Sequence, residues 1–418
     1  MNFLSTGEKI KRARIYKGVT LKELCKSDIS ISKMSCIEND KVKADEWILK
    51  MVAERLELNI EYLLHNDIME LEASIKSYKE KSLTEKDFED IKERLDYCLA
   101  KDYNELSFKF IHILFEAYTK RKKIEEIKSI TNIYNEIQDL VEDGKQIYYE
   151  DLAFYFLSRR NFSDAATYFN MSKTQLELKG VEEYREEYAK NIIWLSFSYY
   201  NMDDYIKAKE TLKALIDLNL DLSENSLAII NGLLAAINMK LKEDYKKELD
   251  AYLNFNGEFN LYYNSMALLI ADNYFEAEKT QEAIELLEET KKNVKDIESF
   301  SYIQILLGII NRLISYNSID KAKEYCEEAL EVSIKLDNHF FIERSYLYKA
   351  KIHRLQKSLI QWEMNMNLAT DMLIRFASME EKKERYMEMA EMYHVIGELR
   401  EAIKYLTLAM SLEKSEDI

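Results

Sequence analysis

Apolar positions recur three and four residues apart along almost the whole chain, which puts them on one face of a helix. In the first 64 residues this spacing predicts five short helices. Residues 7–17 turn Ile10 and Ala13 inward and Lys9, Arg12 and Lys17 outward. Thr20, with Glu23 three residues on, makes a capping box for a second helix ending near Lys26. Ser27 and Asp28 form a tight turn, and Ser30 caps a third helix ending near Asn39. On that third helix Met34 and Ile37 share one face, while Ser32, Lys33 and Cys36 share the opposite one. Asp45 is expected to cap a fourth helix with Trp47, Ile48, Met51, Val52 and Leu56 inward, and Asn59 a fifth over Ile60–Leu64. Residues 68–81 read as a connecting helix.

Beyond it, helical pairs recur about every forty residues. In four places a small residue on one helix is followed twelve residues later by alanine on the next: Ala153 and Ala165, Ser196 and Ala208, Ala271 and Ala283, Ala390 and Ala402. Ile310 and Ala322 keep the spacing with a large first member. Three residues after the small position stands an aromatic, Phe156, Tyr199, Tyr274 or Tyr393, with Leu313 the exception. It is expected to fill the seam to the next pair while the small residues let two helices approach closely. The alanines step by 43, 75, 39 and 80, so the long intervals hide degenerate pairs near Lys247 and Trp362. An early pair near residues 106–140 lacks the small-residue signature. The spacing resembles the tetratricopeptide repeat over about residues 106–412. Such pairs stack into a right-handed superhelix whose first helices line a concave face.

Composition agrees with an all-α chain of more than one domain. Its 418 residues include no proline and eight glycines, and helix interiors exclude both types. No secretory leader is read in residues 1–14, and the most apolar window, 301–316, carries Gln304, Asn311 and Arg312, too polar to span a bilayer. Cys25, Cys36, Cys98 and Cys326 are scattered, as in a reduced cytosolic protein. Charge is polarised. Up to Lys41 there are 9 basic and 5 acidic side chains, and residues 1–64 carry a net +2, whereas the whole chain carries −17. A basic head on an acidic body suits a polyanion partner for the head alone.

The pieces "GEKIKRAR", "TLKEL", "SISKMSCIEN" and "AERLELNIEYLL" fall in the order of the lambda-repressor/Xre helix-turn-helix, which residues 7–64 resemble. Glu38 lies 18 residues after Thr20, as in the RRNPP family of peptide-sensing regulators. The resemblance implies an ion pair between Arg14 and Glu38. Leu21 stands where many members have glutamine, and Cys36 where many have arginine. A helix-turn-helix, a linker helix and tetratricopeptide repeats in this order is the RRNPP architecture. The stretch "MNFLSTGEKIKRARIYKGVTLKELCK" further resembles the RstA-type regulators of spore-forming anaerobes. Together these imply a cytoplasmic homodimer that binds double-stranded operator DNA, is tuned by a short imported signalling peptide, and controls sporulation, toxin or motility genes. The division that follows is 1–66 for the DNA-binding domain, 67–104 for the linker helix and a connecting pair, and 105–418 for the repeats.

On this reading DNA contacts fall to Thr20, Lys22, Ser30, Ser32, Lys33, Cys36, Lys41 and Lys43, since short polar and basic side chains on an exposed helix fit the major groove. Counting inward positions from each small residue gives Lys190, Ile193, Phe197, Tyr200 and Asn201 on one first helix. It gives Gln304, Leu307, Asn311, Ile314 and Ser315 on another, and Arg344, Leu347, Lys351 and Arg354 on a third headed by Ala350. From these, Tyr200, Asn201, Gln304, Asn311, Arg344, Lys351 and Arg354 are the candidate peptide contacts: an amide can both donate to and accept from an extended backbone, and basic side chains can hold a carboxylate. No phosphate-binding glycine loop, HExxH motif or metal-ligand spacing of the five histidines occurs, so neither an enzyme, a cofactor nor a metal site is expected. The competing reading is a repeat scaffold that binds a protein partner, with DNA binding secondary or constitutive.

Overall fold

The computed structural model describes residues 4–64, 67–81, 83–257 and 259–413. Every regular element among them is helical, and the chain divides into two units, Met1–Leu114 and Phe115–Ile418. The boundary expected after residue 66 falls outside the described residues, and the division by contacts falls within α8.

The first unit opens with α1 (Thr6–Tyr16), α2 (Leu21–Cys25), α3 (Ile31–Glu38), α4 (Glu46–Arg55) and α5 (Ile60–Leu64). Their starts are written in side chains. Ser5 with Glu8 and Thr20 with Glu23 form reciprocal capping boxes, and Ser30 Oγ accepts the Lys33 N–H at 3.2 Å. One core gathers Ile10, Leu24, Met34, Ile37, Ile48, Val52 and Leu56. Gly7 is required where α1 crosses α3, because a Cβ there would meet the Ile37 carbonyl oxygen at 2.2 Å. Two expectations fail. Asp45 occupies the N-cap of α4 but makes no cap hydrogen bond; its carboxylate instead faces Lys33 Nζ at 3.2 Å. Trp47 is 50% exposed, because Ile48, Leu49, Val52 and Ala53 form the buried stripe and Trp47 lies a further 100° or so round the helix. After α5 come α6 (Asp67–Glu80), α7 (Glu85–Ala100) and α8 (Asn104–Arg121). Buried Asp67 accepts from the hydroxyls of Tyr97 and Tyr103 at 2.9 and 3.1 Å, which fastens α6 to α7.

In the second unit α9 (Ile124–Ile137) is followed by seven helix pairs among the described residues. They are α10 (Gly144–Ser158) with α11 (Phe162–Lys179), α12 (Arg185–Asn201) with α13 (Tyr205–Asp217), and α14 (Glu224–Leu241) with α15 (Lys246–Leu253). Then come α16 (Leu261–Glu276) with α17 (Thr280–Asn293), α18 (Phe300–Ser315) with α19 (Ile319–Lys335), α20 (His339–Leu355) with α21 (Leu359–Leu373), and α22 (Met379–Ile396) with α23 (Leu399–Glu413). The repeat spacing has its physical cause at the crossings. Ala153, Ala165, Ser196, Ala208, Ala271, Ala283 and Ala322 are fully buried, and Ser196 Oγ donates to the Ala208 carbonyl at 2.8 Å. Both degenerate pairs exist. In α14 and α15 the second helix is only eight residues long, and Gly232 admits the Tyr252 ring, which a Cβ would meet at 2.6 Å. In α20 and α21, Ala350 keeps the twelve-residue step with Trp362 in place of alanine, and both are buried.

The seam aromatics behave differently from the expectation. Phe156 stacks on Tyr168 (5.4 Å, 5°) and Tyr393 on Tyr405 (5.5 Å, 11°), each within its own pair. The hydroxyls of Tyr199 and Tyr393 take amide hydrogens from Asn170 and Asn367, 3.1 Å away on the preceding pair. The ring tightens one pair and the hydroxyl ties it backwards, a division of labour open to tyrosine and closed to phenylalanine. First helices also pack on the first helices of the next pair from α12 to α20, so the buried residues form one continuous core, as stacked repeats must.

Candidate functional site

In the first unit α3 presents its outer face to solvent. Ser32 and Lys33 are exposed and Cys36 half-buried there, with Lys22, Lys41 and Lys43 exposed beside it. Thr20 and Ser30 are exposed but serve as caps, so each offers DNA a hydroxyl already engaged with backbone. Lys33 is shared with Asp45, both side chains being open to water (42% and 57%), so the pair is weak and easily exchanged. Arg14 and Glu38 hold α3 from behind. The guanidinium donates to Glu38 from Nε at 2.6 Å and from Nη2 at 2.8 Å, and a third donor reaches the Val19 carbonyl at 3.0 Å. Glu38 is 3% exposed, and its hydrogen bond raises the Arg14 pKa. The pair is an internal strut, not a DNA contact.

Within the repeats, the inward positions separate into three kinds. Tyr200 is 6% exposed, and its hydroxyl accepts from Asn273 Nδ2 at 3.2 Å, so it belongs to the core and not to a ligand. Arg354 is exposed, pairs with Glu391 at 3.1 Å and lies 5.2 Å over the Trp362 ring; with both charged side chains open to water (55% and 62%), the ion pair is weak, like that of Lys33. The remainder stay accessible. Asn201 is half-buried and donates to the Phe197 carbonyl at 2.8 Å, which leaves its own carbonyl. Gln304 and Asn311 lie two turns apart on α18, half-buried and without side-chain hydrogen bonds among the described residues. Arg344 rests over the Phe340 ring at 5.3 Å and Lys351 over Tyr348 at 5.5 Å. Enclosure by the helices, then the Arg344 guanidinium, lower the Lys351 pKa.

Aromatic and basic side chains, of which the sequence count places only Lys190 and Phe197 inward, pack around these positions. Trp194 and Phe197 of α12 meet at 5.0 Å, and Trp194 meets Tyr262 of α16, also at 5.0 Å. Phe154 of α10 stacks against the same Tyr262 at 6.4 Å, and Lys190 lies 5.0 Å over Phe154 while pairing with Glu150. Lys122, just after α8, sits 5.8 Å from the Phe340 ring, more than two hundred residues away in sequence. No spacing within one helix announces such neighbours; they arise only when the pairs are stacked. Among the described residues no His, Cys, Asp and Glu are grouped to hold a metal ion, and no helix is long and apolar enough to cross a membrane.

No family model and no curated protein matches the chain. Among solved structures it is similar to the apo form of the quorum sensor NprR from B. thuringiensis, with 12% identity, 82% of this chain and 99% of that chain covered, and a TM-score of 0.43. A Rap protein complexed with competence and sporulation factor gives 13% identity, 83% and 98% coverage, and 0.45. Bacillus thuringiensis PlcR in complex with the peptide PapR7 and DNA gives 14%, 94% and 98%, and 0.28. At such identities and scores these are likenesses alone, and the functional argument stays with the residues.

Proposed function

We propose that this chain is a cytoplasmic, homodimeric transcription regulator, without enzymatic activity, whose first five helices bind operator DNA and whose repeats bind a short signalling peptide. The observation that carries the proposal is the exposed polar and basic face of α3, ringed by Lys22, Lys41 and Lys43, on a chain whose net charge is −17. Phosphate contacts need local positive charge, and base edges need short side chains on a protruding helix. For the peptide, support comes from Gln304 and Asn311, whose amides have both a donor and an acceptor to offer an extended backbone. For the dimer, support comes from Leu399, Ile403, Leu406 and Met410, an exposed stripe down one face of α23. The resemblance to RstA-type regulators extends the proposal to sporulation, toxin or motility genes.

The test is selection of bound duplexes from a random library by the full chain. A regulator of this kind enriches a two-fold symmetric site with half-sites roughly 34–36 Å apart, or a multiple. A Lys41→Ala/Lys43→Ala variant should enrich it poorly. No enrichment by the wild-type chain ends the DNA reading and leaves a scaffold for a protein partner.

A further inference from the structure

Cations gather in the second unit where sequence-distant helices meet. Lys122 follows α8, Arg159 closes α10, and Arg344 lies on α20. One ring joins two of them: Phe340 has Lys122 Nζ 5.8 Å and Arg344 Cζ 5.3 Å from its centroid. Lys122 also donates to the Ser158 carbonyl, the residue before Arg159. Carboxylates are scarce by comparison. Arg159 has Glu381 at 4.0 Å, and Arg344 has Glu343 at 3.3 Å. Glu343, however, is fully buried and bound at 2.6 Å to Arg385, itself 4% exposed. Lys122 has no ion pair among the described residues. All three cations keep contact with water, for Lys122 and Arg344 are half-buried and Arg159 is exposed.

We propose that Lys122, Arg159 and Arg344 form an oxyanion-binding site within the repeats, filled by the carboxylate that ends an extended peptide or by a free phosphate. Only the first of these sources rests on the peptide-regulator reading. The Phe340 ring restrains the Arg344 guanidinium, a group able to give an oxyanion two parallel hydrogen bonds. Lys122 supplies a point charge from the turn after α8, and Lys351 stands two turns along α20 from Arg344. Three cations here face two carboxylates, Glu381 at 4.0 Å and Glu343, which Arg385 already holds, so positive charge is in excess.

The titration of Lys122 reflects the crowding of like charges. Its pKa is lowered to about 7, by burial first, then by Arg344 of α20 and Arg159 of α10, with Glu381 of α22 opposing. An oxyanion among these groups favours the ammonium form, so binding takes up a proton and tightens as pH falls toward 7 and below.

Labelling by an acetylating reagent at pH 7, read at Lys122 by mass spectrometry on the full chain, tests this. With a pKa of about 7 roughly half the amine is neutral; a rise of about one unit leaves about a tenth, so an occupied site labels about fivefold more slowly. Three probes are compared: inorganic phosphate, a random pentapeptide pool as free acids, and the same pool amidated at its C-termini. The expected result is slowing by phosphate or by the free-acid pool, none by the amidated pool, and loss of the effect in Arg344→Gln and in Arg159→Gln. Equal thermal melts of the variants and the wild type exclude unfolding as the cause. The proposal is overturned if neither phosphate nor the free-acid pool slows labelling, or if the amidated pool slows it equally. Slowing by phosphate alone keeps the site and removes its support for the peptide reading. Retention of both pools alike, with no slowing, keeps the peptide reading and removes the site.

Discussion

Arg14→Ala should unlock α3 without touching any surface that meets a ligand. In the wild-type chain Arg14 gives Glu38 two charge-assisted hydrogen bonds, at 2.6 and 2.8 Å, and gives Val19 a third. Glu38 is 3% exposed, so water cannot take over when the guanidinium is removed. Breaking a buried pair by deleting one partner costs about 3–5 kcal/mol, most of it the stranded charge. At about 1.4 kcal/mol per decade, the amides of α1 and α3 should exchange with solvent about two to three and a half decades faster. Native-state hydrogen exchange on the full chain reads this directly, and helices α16 to α19 serve as an internal control. A second variant isolates the cause. Arg14→Met/Glu38→Leu removes both charges and keeps apolar bulk, so it should regain most of the protection. If Arg14→Ala leaves α3 exchange within a factor of three of wild type, or if the double variant is as labile as the single one, the stranded-carboxylate argument is wrong.

Other substitutions separate packing from charge. Gly7→Ala should destabilise the first five helices by about 1–3 kcal/mol, visible as a lower melting temperature, since the new methyl meets the Ile37 carbonyl, which cannot rotate away. Lys41→Ala/Lys43→Ala should weaken DNA binding almost uniformly across sequences and reduce the salt slope by about two, as measured by anisotropy titration over a range of salt. Between pH about 7 and 10 the folded chain should gain stability as pH rises, because unfolded Lys122 binds a proton that the folded one has released; Lys122→Met should flatten that part of a denaturation profile. Lys351→Ala and Asn311→Ala should each lower affinity for a cognate peptide in calorimetry, by removing a cation and an amide that the repeats leave accessible.

What could be read from the sequence was whatever one helix decides alone. The capping box at Thr20, small residues at Ala153 or Ala271, and the buried stripe of Met34 and Ile37 are local patterns with local causes. Predictions that needed a neighbour's position fared worse. Counting inward positions by repeat number treats each first helix as a straight rod with one face inside. Tyr200 satisfies the count, yet Asn273 from two pairs on crosses to its hydroxyl and closes it off. Arg354 satisfies it too, but its side chain meets Glu391 of α22 and the Trp362 ring of α21, neighbours that counting along α20 does not supply. Trp47 was grouped with the inward apolar residues of α4, although its position lies off the stripe that Ile48 and Val52 define.

A basic face on α3 and a net charge of −17 are compatible on the length scale that matters. At physiological salt the field of an exposed charge is screened within about 8 Å, so a phosphate senses the side chains beside it and not the sum over the molecule. Lys41 and Lys43 therefore count fully at α3, and the acidic repeats count little there. The same argument applies inside the repeats, with the opposite consequence. Around Lys122 protein replaces the water that would screen it, so Arg344 and Arg159 act on it strongly enough to bring its pKa down to about 7. Total charge predicts neither behaviour. Local exposure does: where water reaches, basic residues act as separate phosphate contacts, and where helices enclose them, they act as one site whose empty state is costly and whose filled state is stabilised.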